Sequence, residues 1–403
     1  MPKALFFNIP GHGHINPSLP VVAELVHRGH EVIYFATEGF RASIESTGAT
    51  FCAYKTVQDD YFEAQNLSGS VPKKVAVALL TTTGEILPEL LEQAKQEQPD
   101  YIIYDGMCPW GYFVGQILKL PTVVSYALMP LTSVRAIMHP LKLKVVAPVI
   151  VGDMSAGIKS SRKSQALGKQ YGVKALGTAE FLNAPADLGI SYTSAYFVPY
   201  AQKAPAYLHF VGRVLDDTLQ DPSFSFDAVK GRKLIYVSLG TLNNQDPSLF
   251  HDCVGAFRDS QYYVLISTGK GTDPASFGGL PENIAVYSWV PQLDVLRRAD
   301  MFITHGGLGS ILDGLYFGLP LLMVPQQGEQ MLNSMRAAEL KAGVVLNKNI
   351  VSVDSLRWYS NRLLNEPEFK TQAQKIGDSF RAAGGALKAA DLIEDLLKNS
   401  KAP

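Results

Sequence analysis

The sequence predicts an α/β protein built from two doubly wound parallel-sheet domains. Short apolar runs alternate with amphipathic stretches through the first half, and a second alternating series begins at 233–238. This alternation is typical of parallel sheets covered by helices on both faces. A polar, turn-rich segment separates the two series. We therefore expect domains at 1–214 and 231–385, a linker at 215–230 and a C-terminal helix at 386–403.

In the first domain, strands and helices alternate from the first residues onward. The predicted strands are Ala4–Ile9, Glu31–Ala36, Tyr101–Tyr104 and Thr122–Tyr126, and the predicted helices are Ser18–Arg28 and Val71–Gln98. Each strand is a short apolar run bounded by glycine, proline or polar residues. From 130 to 174 the pattern loosens around a Lys-Ser-Ser-Arg-Lys-Ser run. That segment is consistent with a substrate pocket, surface helices or a mobile loop.

The second domain repeats the alternation. Its predicted strands are Lys233–Ser238, Tyr262–Ile266, Ile284–Tyr287, Met301–Thr304 and Leu321–Val324. The closing segment, 354–397, is helical in its periodicity. Because open parallel sheets bind ligands at the carboxyl ends of their strands, the residues that follow each strand are the candidates for functional contacts.

The composition describes a globular protein with a large core: 47% of the 403 residues are hydrophobic and 18% are charged. Lys and Arg total 36 against 37 Asp and Glu, so the overall charge attracts neither nucleic acid nor an anionic membrane. No apolar run reaches the roughly 18 residues of a membrane helix, so no stable membrane insertion is expected. Three cysteines, Cys52, Cys108 and Cys253, lack CxxC spacing and are interpreted as free thiols of a cytoplasmic protein.

The stretch from Trp289 to Asn333 carries the densest set of candidate ligand contacts. Within it, three glycines between His305 and Ser310 let backbone amides approach an anion, and the helix that follows points its N-terminus the same way. His305 can donate to a phosphate, Asp313 can accept from a diol, and Trp289 offers a flat face for stacking a base. Together these residues predict a nucleotide site.

Each of these features also has a purely structural interpretation. Ser310 and Asp313 fit a helix capping box with Asp in the place of Glu. A single Trp289 is more often a core residue, and a glycine run after a strand is often only a turn. The order and spacing of all of them within one segment favour the nucleotide site.

With these residues, the segment resembles the signature region of family 1 UDP-glycosyltransferases, which include plant natural-product enzymes and bacterial enzymes acting on macrolides and flavonoids. The resemblance implies the GT-B fold, in which two Rossmann-like domains face a cleft and C-terminal helices pack back on the N-terminal domain. It also implies donor contacts: Trp289, Val290 and Gln292 at the base and ribose, Asp313 at the ribose hydroxyls, Ser238, Gly240, Thr241, His305, Gly307, Gly309 and Ser310 at the pyrophosphate, and Glu329 and Gln330 at the transferred sugar.

Three positions depart from the usual pattern of that family. Gly309 stands where plant members carry Asn, which removes one phosphate donor. Asp313 stands where many members carry Glu, and Glu329 where many carry Asp. Both changes keep a carboxylate and alter its reach, which bears on the choice of sugar.

The loop after the first strand, Pro10-Gly-His12-Gly-His14-Ile-Asn-Pro17, is a second candidate site. It matches GxGxxG only in part because Asn16 occupies the third glycine position, and no local Cys or carboxylate cluster completes a metal site for its histidines. A histidine at the end of a strand suits acid–base catalysis, and Asp105, at the end of another strand, is a candidate to orient it. The alternative is a solvated histidine and a helix-capping Asp.

The family resemblance maps a catalytic His and Asp onto His14 and Asp105, with His12 at a variable position. It implies inverting, metal-independent transfer of a sugar, expected to be glucose, from a UDP-sugar to a hydroxyl of a small lipophilic acceptor such as a flavonoid, phenol or macrolide. The UDP-sugar is then a co-substrate, and no bound cofactor is expected. Met107 and Trp110, just after Asp105, are candidate acceptor contacts, or simply core residues.

Three other functions remain open at this stage. A nucleotide-sugar epimerase uses similar sheets, although the pair His14 and Asp105 fits group transfer better. A non-catalytic UDP-sugar-binding protein would keep Trp289 and His305 without needing His14. A nicotinamide oxidoreductase is disfavoured by the incomplete glycine pattern at Asn16.

Overall fold

The computed structural model of the chain describes all residues except 66–71, 137–142, 144–153, 178–179, 181–183, 216–220, 230, 241–246, 270 and 401–403. The chain divides into two compact units. The first unit comprises Met1–Leu215 together with Ala383–Pro403, and the second unit comprises Asp216–Ala382.

The first unit is built on a seven-stranded sheet. Its strands are β1 (Lys3–Phe7), β2 (Glu31–Ala36), β3 (Thr50–Ala53), β4 (Tyr101–Asp105), β5 (Thr122–Tyr126), β6 (Leu188–Ser191) and β7 (Leu208–Phe210). Its described helices are α1 (His12–Ile15), α2 (Leu19–His27), α3 (Arg41–Glu45), α4 (Tyr61–Ala64), α5 (Pro72–Glu97), α6 (Pro109–Leu118), α7 (Met154–Tyr171) and, after the second unit, α14 (Gly385–Ser400). The strand order is β3-β2-β1-β4-β5-β6-β7, and all neighbours are parallel.

The second unit is built on a six-stranded sheet. Its strands are β8 (Leu234–Ser238), β9 (Tyr263–Ser267), β10 (Ile284–Tyr287), β11 (Met301–Thr304), β12 (Leu321–Met323) and β13 (Gly343–Val345). Its described helices are α8 (Ser248–Phe257), α9 (Gln292–Arg298), α10 (Leu308–Tyr316), α11 (Gly328–Glu339), α12 (Val353–Asn365) and α13 (Pro367–Arg381). The order is β10-β9-β8-β11-β12-β13, again entirely parallel.

The central strands are apolar along their whole length because helices cover both faces of each sheet. In β1, Leu5 and Phe7 point into one hydrophobic cluster, whereas Ala4 and Phe6 point into another on the opposite face. This alternation follows from the two-residue period of a strand. It explains why the predicted strands read as unbroken apolar runs, and it confirms the predicted α/β class.

The last helix, α14, belongs to the first unit, as the predicted fold requires. Ala389, Ala390 and Ile393 are fully buried in the cluster that also contains Val22 and Leu25 of α2. A spacing of three and four residues places these side chains on one face of the helix. The C-terminal helix therefore completes the hydrophobic core of the first unit.

Four strands were not predicted: β3, β6, β7 and β13. Each has only three or four residues, which is too short for a clear apolar run. Residues 154–171 of the loosely patterned segment form α7, which packs on α5 as a surface helix. Much of the remainder of that segment lies outside the described residues.

Candidate active site

In the first sheet, β1 and β4 are neighbours, but the chain leaves β1 toward β2 on one side and leaves β4 toward β5 on the other. Such a reversal of strand order opens a crevice at the carboxyl ends of the two strands, where doubly wound sheets bind ligands. His14 follows β1 on the short helix α1, and Asp105 is the last residue of β4. Both predicted catalytic residues therefore lie at this switch point.

The structure brings the side chains of His14 and Asp105 into direct contact. Nδ1 of His14 lies 3.0 Å from Oδ2 of Asp105, and the side chains are 17% and 1% exposed. The other carboxylate oxygen, Oδ1, accepts a hydrogen bond of 2.8 Å from the backbone N–H of Met107. An ionised carboxylate only accepts, so Nδ1 carries the imidazole hydrogen and Nε2 carries the lone pair. Such an imidazole is oriented to act as a base.

A buried polar network that the sequence analysis missed supports the backbone of α1. Asn8, directly after β1, donates from Nδ2 to the hydroxyl of Tyr34 at 2.8 Å and to the carbonyl of His14 at 3.3 Å. The Tyr34 hydroxyl lies 2.8 Å from Oγ of Ser18, which donates to the carbonyl of Ile15. Asn8, Tyr34 and Ser18 are fully buried. The helix that carries His14 is thus held through two of its carbonyl groups.

The two predicted acceptor contacts differ in their placement. Met107 is half-buried beside Asp105. Trp110 is fully buried in the core, where its indole N–H donates to the hydroxyl of Tyr54 at 2.9 Å. The core interpretation therefore holds for Trp110, because a side chain without exposed surface offers none to a substrate. Trp110 is buried because it lies in the first turn of α6, which packs against the core.

The second sheet has its own switch point between β8 and β11, where Ser238 and Thr304 are paired in register. Gly240 follows β8 with a φ of 78°, in the left-handed region that favours glycine. A Cβ at Gly240 would lie 2.6 Å from Cε1 of His305, and one at Gly307 would lie 2.5 Å from Nε2 of the same ring. The glycines therefore make room for the imidazole. Thr241 lies outside the described residues.

The imidazole of His305 is held neutral by its surroundings. Its side chain keeps some exposed surface, yet the protein around it desolvates the ring and lowers its pKa to about 4. A neutral imidazole donates one hydrogen bond and brings no positive charge of its own. At neutral pH, His305 can therefore donate a hydrogen bond to an anion, and it is not a fixed cation.

Helix α10 begins at Leu308, with Gly307 as its N-cap residue and no side chain capping it. Ser310 lies in the first turn and is not the cap, so the capping-box interpretation does not apply. The first N–H groups of a helix lack partners within the helix and carry the positive end of its dipole. The amides of Leu308, Gly309 and Ser310 thus form a suitable site for a phosphate.

Gln292 and Asp313, predicted to bind the base and ribose, contact each other. Nε2 of Gln292 donates to Oδ2 of Asp313 at 3.0 Å, and Oε1 of Gln292 accepts from the Tyr236 hydroxyl at 3.4 Å. Burial raises the pKa of Tyr236 to about 12, so its hydroxyl stays protonated as a donor. Tyr236 was not predicted, because its contact with Gln292 depends on how β8 and α9 meet in space.

Trp289 is 68% exposed, which is the largest exposure of any Phe, Tyr or Trp among the described residues. An indole kept in solvent at this position is consistent with a stacking surface and not with the core alternative. The side chain of Val290 is buried, which leaves its backbone for any ligand contact.

Of the two predicted sugar contacts, Glu329 is exposed and accepts from Nδ2 of the buried Asn333 at 3.0 Å. Gln330 is buried, and its Oε1 accepts from the backbone N–H groups of Gln326 and Gln327 in a capping box at the start of α11. The oxygen of Gln330 is therefore committed to the helix cap. Donation from Nε2 is the contact that remains for a sugar.

Comparisons with known proteins identify relatives along the whole chain. The sequence profile of the erythromycin biosynthesis protein CIII-like C-terminal domain matches residues 259–394. The NDP-glycosyltransferase YjiC of Bacillus subtilis is 33% identical, over 98% of this chain and 97% of its own length. The uncharacterized UDP-glucosyltransferase YojK of the same organism is 30% identical, over 99% and 98%. The crystal structure of CalG4, the calicheamicin glycosyltransferase, superposes with a TM-score of 0.83 at 27% identity, covering 100% of both chains.

The fold and these similarities define a nucleotide-sugar-dependent glycosyltransferase of the GT-B type. The chain belongs to the family of bacterial UDP-glycosyltransferases that includes YjiC and YojK. It is an enzyme that transfers a sugar from a nucleotide sugar, which excludes the non-catalytic, epimerase and nicotinamide alternatives.

Other sites of chemical interest are few in the part of the chain that the structure describes. No group of three or more His, Cys, Asp or Glu side chains is placed to hold a metal ion there. None of the described helices has the length and apolarity to cross a bilayer. Cys108 and Cys253 are buried free thiols whose pKa is raised by burial, and Cys52 is a half-buried free thiol.

Proposed function

We propose that this enzyme transfers glucose from UDP-glucose to a hydroxyl group of a small lipophilic natural product, with inversion at the anomeric carbon. The observation that most directly supports this proposal is the 3.0 Å contact between Nδ1 of His14 and the buried carboxylate of Asp105 at a sheet switch point. The relatives support the substrate classes: YojK is named a UDP-glucosyltransferase, and CalG4 acts in calicheamicin glycosylation.

In the proposed reaction, Nε2 of His14 takes the proton from the acceptor hydroxyl while the oxygen attacks the anomeric carbon. The bond from that carbon to the β-phosphate oxygen breaks, and UDP leaves with the electron pair. Asp105 holds the imidazole in the reactive tautomer and stabilises the imidazolium that forms. General-base help of this kind contributes about 10²–10⁴-fold to the rate. Attack opposite to the leaving group gives inversion.

Negative charge grows on the diphosphate as the bond breaks. The N–H groups at the start of α10, the hydroxyl of Ser310 and the imidazole of His305 would stabilise that charge. We propose that these donors replace a metal ion. The exposed indole of Trp289 would stack on uracil, and the paired Gln292 and Asp313 would bind the ribose hydroxyls.

Replacing His14 by Ala tests the base. Turnover should fall about 10²–10⁴-fold, while UDP affinity, measured by calorimetry, stays within error because His14 does not belong to the second unit that holds the diphosphate. His12→Ala is the matched control: His12 lies in the same short helix, is exposed, and packs edge-on against Phe40. Unchanged turnover in H14A, or an equal loss in H12A, would refute the role of His14.

A donor-by-acceptor screen with mass-spectrometric detection tests the substrates. UDP-glucose should give a product heavier by one hexose with lipophilic phenols or macrolides, and it should do so in EDTA. Activity that collapses in EDTA and returns with Mn²⁺ would overturn metal independence. A strong preference for thymidine diphosphate sugars would overturn the assignment of the base.

A further inference from the structure

Helix α7 contains the Lys-Ser-Ser-Arg-Lys-Ser run that the reaction does not use. Ala156, Ser160, Ser164 and Leu167 are buried at spacings of three and four residues, so one face of α7 packs on the protein. The opposite face is in solvent and follows a different chemical pattern.

All charged residues on the solvent face of α7 are basic. Lys159, Arg162, Lys163 and Lys169 are exposed, and the helix contains no Asp or Glu. None of these four forms an ion pair with a carboxylate elsewhere in the described chain. Four like charges on one short surface therefore remain uncompensated, in a protein whose overall net charge is only −1.

The same face also exposes large apolar side chains. Met154 is 69% exposed and Ile158, one helical turn later, is 51% exposed. Surface helices normally carry polar residues at such positions. Apolar side chains next to basic ones on an exposed helix face are typical of a helix that lies in the interface of a bilayer.

A second basic segment lies alongside. A Cβ at Gly157 would lie 3.5 Å from Cδ of Lys73, and one at Gly84 would lie 3.7 Å from Cδ2 of Leu167, so α5 and α7 run in the same direction. Lys73 and its neighbour Lys74 therefore lie near the start of α7. The acidic residues of α5 begin only further along, at Glu85.

The position of this region follows from the topology. Helix α5 leads directly into β4, so its N-terminal end lies toward the carboxyl edge of the first sheet, as do His14 and Asp105. Its 26 residues span about 39 Å, far more than a five-residue strand of about 17 Å. The starts of α5 and α7 thus extend past the sheet edge that carries the catalytic pair.

We propose that this region docks the first unit on an anionic lipid bilayer. The docking surface consists of five basic residues and two apolar ones: Lys73, Lys74, Lys159, Arg162 and Lys163, with Met154 and Ile158. The charge is complementary to anionic headgroups, and the two aliphatic side chains insert between them. A nucleic acid would use the charges but leave Met154 and Ile158 without a partner. Docking at this edge would bring acceptors dissolved in the bilayer close to His14. This consequence rests on the proposed function, whereas the docking surface itself does not.

Vesicle sedimentation tests the proposal with the full-length enzyme. It should bind vesicles of phosphatidylcholine with phosphatidylglycerol, ignore phosphatidylcholine alone, and be released as NaCl is raised. The triple variant Lys159→Glu, Arg162→Glu and Lys163→Glu should lower partitioning about 100-fold. The control, Lys95→Glu, Arg258→Glu and Lys348→Glu, changes the net charge equally at exposed positions elsewhere and should bind as the wild type does.

A second variant, Met154→Ser with Ile158→Ser, separates lipid from other polyanions. It should weaken vesicle binding while leaving retention on heparin unchanged, because only a bilayer uses the apolar side chains. The proposal is overturned if the wild type does not sediment with anionic vesicles at low salt, if both charge variants lose binding equally, or if the serine variant binds vesicles as tightly as the wild type. Thermal unfolding of each variant confirms that it is folded, and turnover in solution reports the proposed reaction independently.

Discussion

In the proposed reaction, the contact between His14 and Asp105 determines which ring nitrogen acts as the base. Replacing Asp105 by Asn puts an amide beside Nδ1, and the amide N–H group can stabilise the tautomer with the hydrogen on Nε2. That tautomer cannot take a proton from the acceptor. We expect kcat to fall about 10²–10⁴-fold with UDP affinity preserved, as measured by steady-state kinetics and calorimetry.

Asp187 provides the control for this variant. Its carboxylate also accepts from a backbone N–H, that of Thr122 at 2.8 Å, but at the amino end of the strands. Asp187→Asn should reduce stability without a comparable loss of kcat. Equal kinetic losses in both variants would show that Asp105 acts only through folding.

The desolvated imidazole of His305 predicts a pH dependence of stability. Its folded pKa is about 4, below the ordinary value of 6.5, so the unfolded chain binds a proton in this window and the folded chain does not. This contribution to stability is complete above 6.5 and is lost as the pH falls toward 4. His305→Asn should therefore lose less thermal stability than the wild type between about pH 7 and about pH 4.5.

His27 is the matched control, because its side chain is 83% exposed. The acid-induced shift of the melting temperature should be the same in His27→Asn as in the wild type. A shift as large as that of the wild type in the His305 variant would contradict the assignment of a desolvated, neutral ring at His305.

Single residues also show how far sequence reasoning reaches. His14 and Asp105 could be placed near each other because each follows a predicted strand, and parallel topology brings strand ends together. Their catalytic role was predicted only through the family resemblance. Asn8, Tyr34 and Ser18 could not, since their hydrogen bonds depend on how β1, β2 and α1 meet in space. Trp110 misled because its position after Asp105 says nothing about which way the first turn of α6 faces.

At the scale of elements, α10 offers a direct comparison between two of its glycines. Gly309, in the first turn, has open space where a Cβ would stand, whereas a Cβ at Gly314 would lie 2.8 Å from Leu321 and 3.0 Å from Phe302. Gly309→Ala should stabilise the ligand-free protein by about 0.5–1 kcal/mol, because Ala costs less backbone entropy in a helix. Gly314→Ala should destabilise it by about 1–3 kcal/mol through overpacking. Thermal unfolding measures both.

If Gly309→Ala proves destabilising, the space beside α10 is not open in solution. If Gly314→Ala is neutral, the packing between α10 and the sheet is looser than these distances imply.

Elements with a strong pattern were predictable, and short ones were not. Glu31–Ala36 and Met301–Thr304 were predicted with the observed bounds because each is a continuous apolar run between turn residues. Edge strand β13 has three residues and begins with Gly343, so its sequence carries no strand signal. The start of α10 was predicted only in part. Ser310 fitted the pattern of an N-cap residue, whereas the N-cap residue is Gly307, which has no side chain to cap the helix.

At the scale of the whole molecule, α14 tests how the first unit is completed. Ile393 is fully buried in its core, whereas Leu387 of the same helix is 60% exposed. Ile393→Ala should cost about 2–5 kcal/mol, and Leu387→Ala much less, because only the first leaves a cavity. Thermal unfolding should show the difference in the transition of the first unit. Equal small effects would mean that α14 contributes little to that core.

The return of the chain to its first unit also has a consequence for synthesis on the ribosome. The groove around Val22 and Leu25 that receives α14 is made early, but α14 emerges only after all of Asp216–Ala382. At ~5–20 residues per second, that interval lasts roughly 10–30 s. During this time the nascent protein exposes an apolar surface that its own C-terminal helix will later cover. Slow or stalled translation should therefore make the protein depend on chaperones that bind nascent chains, and should make it prone to aggregation.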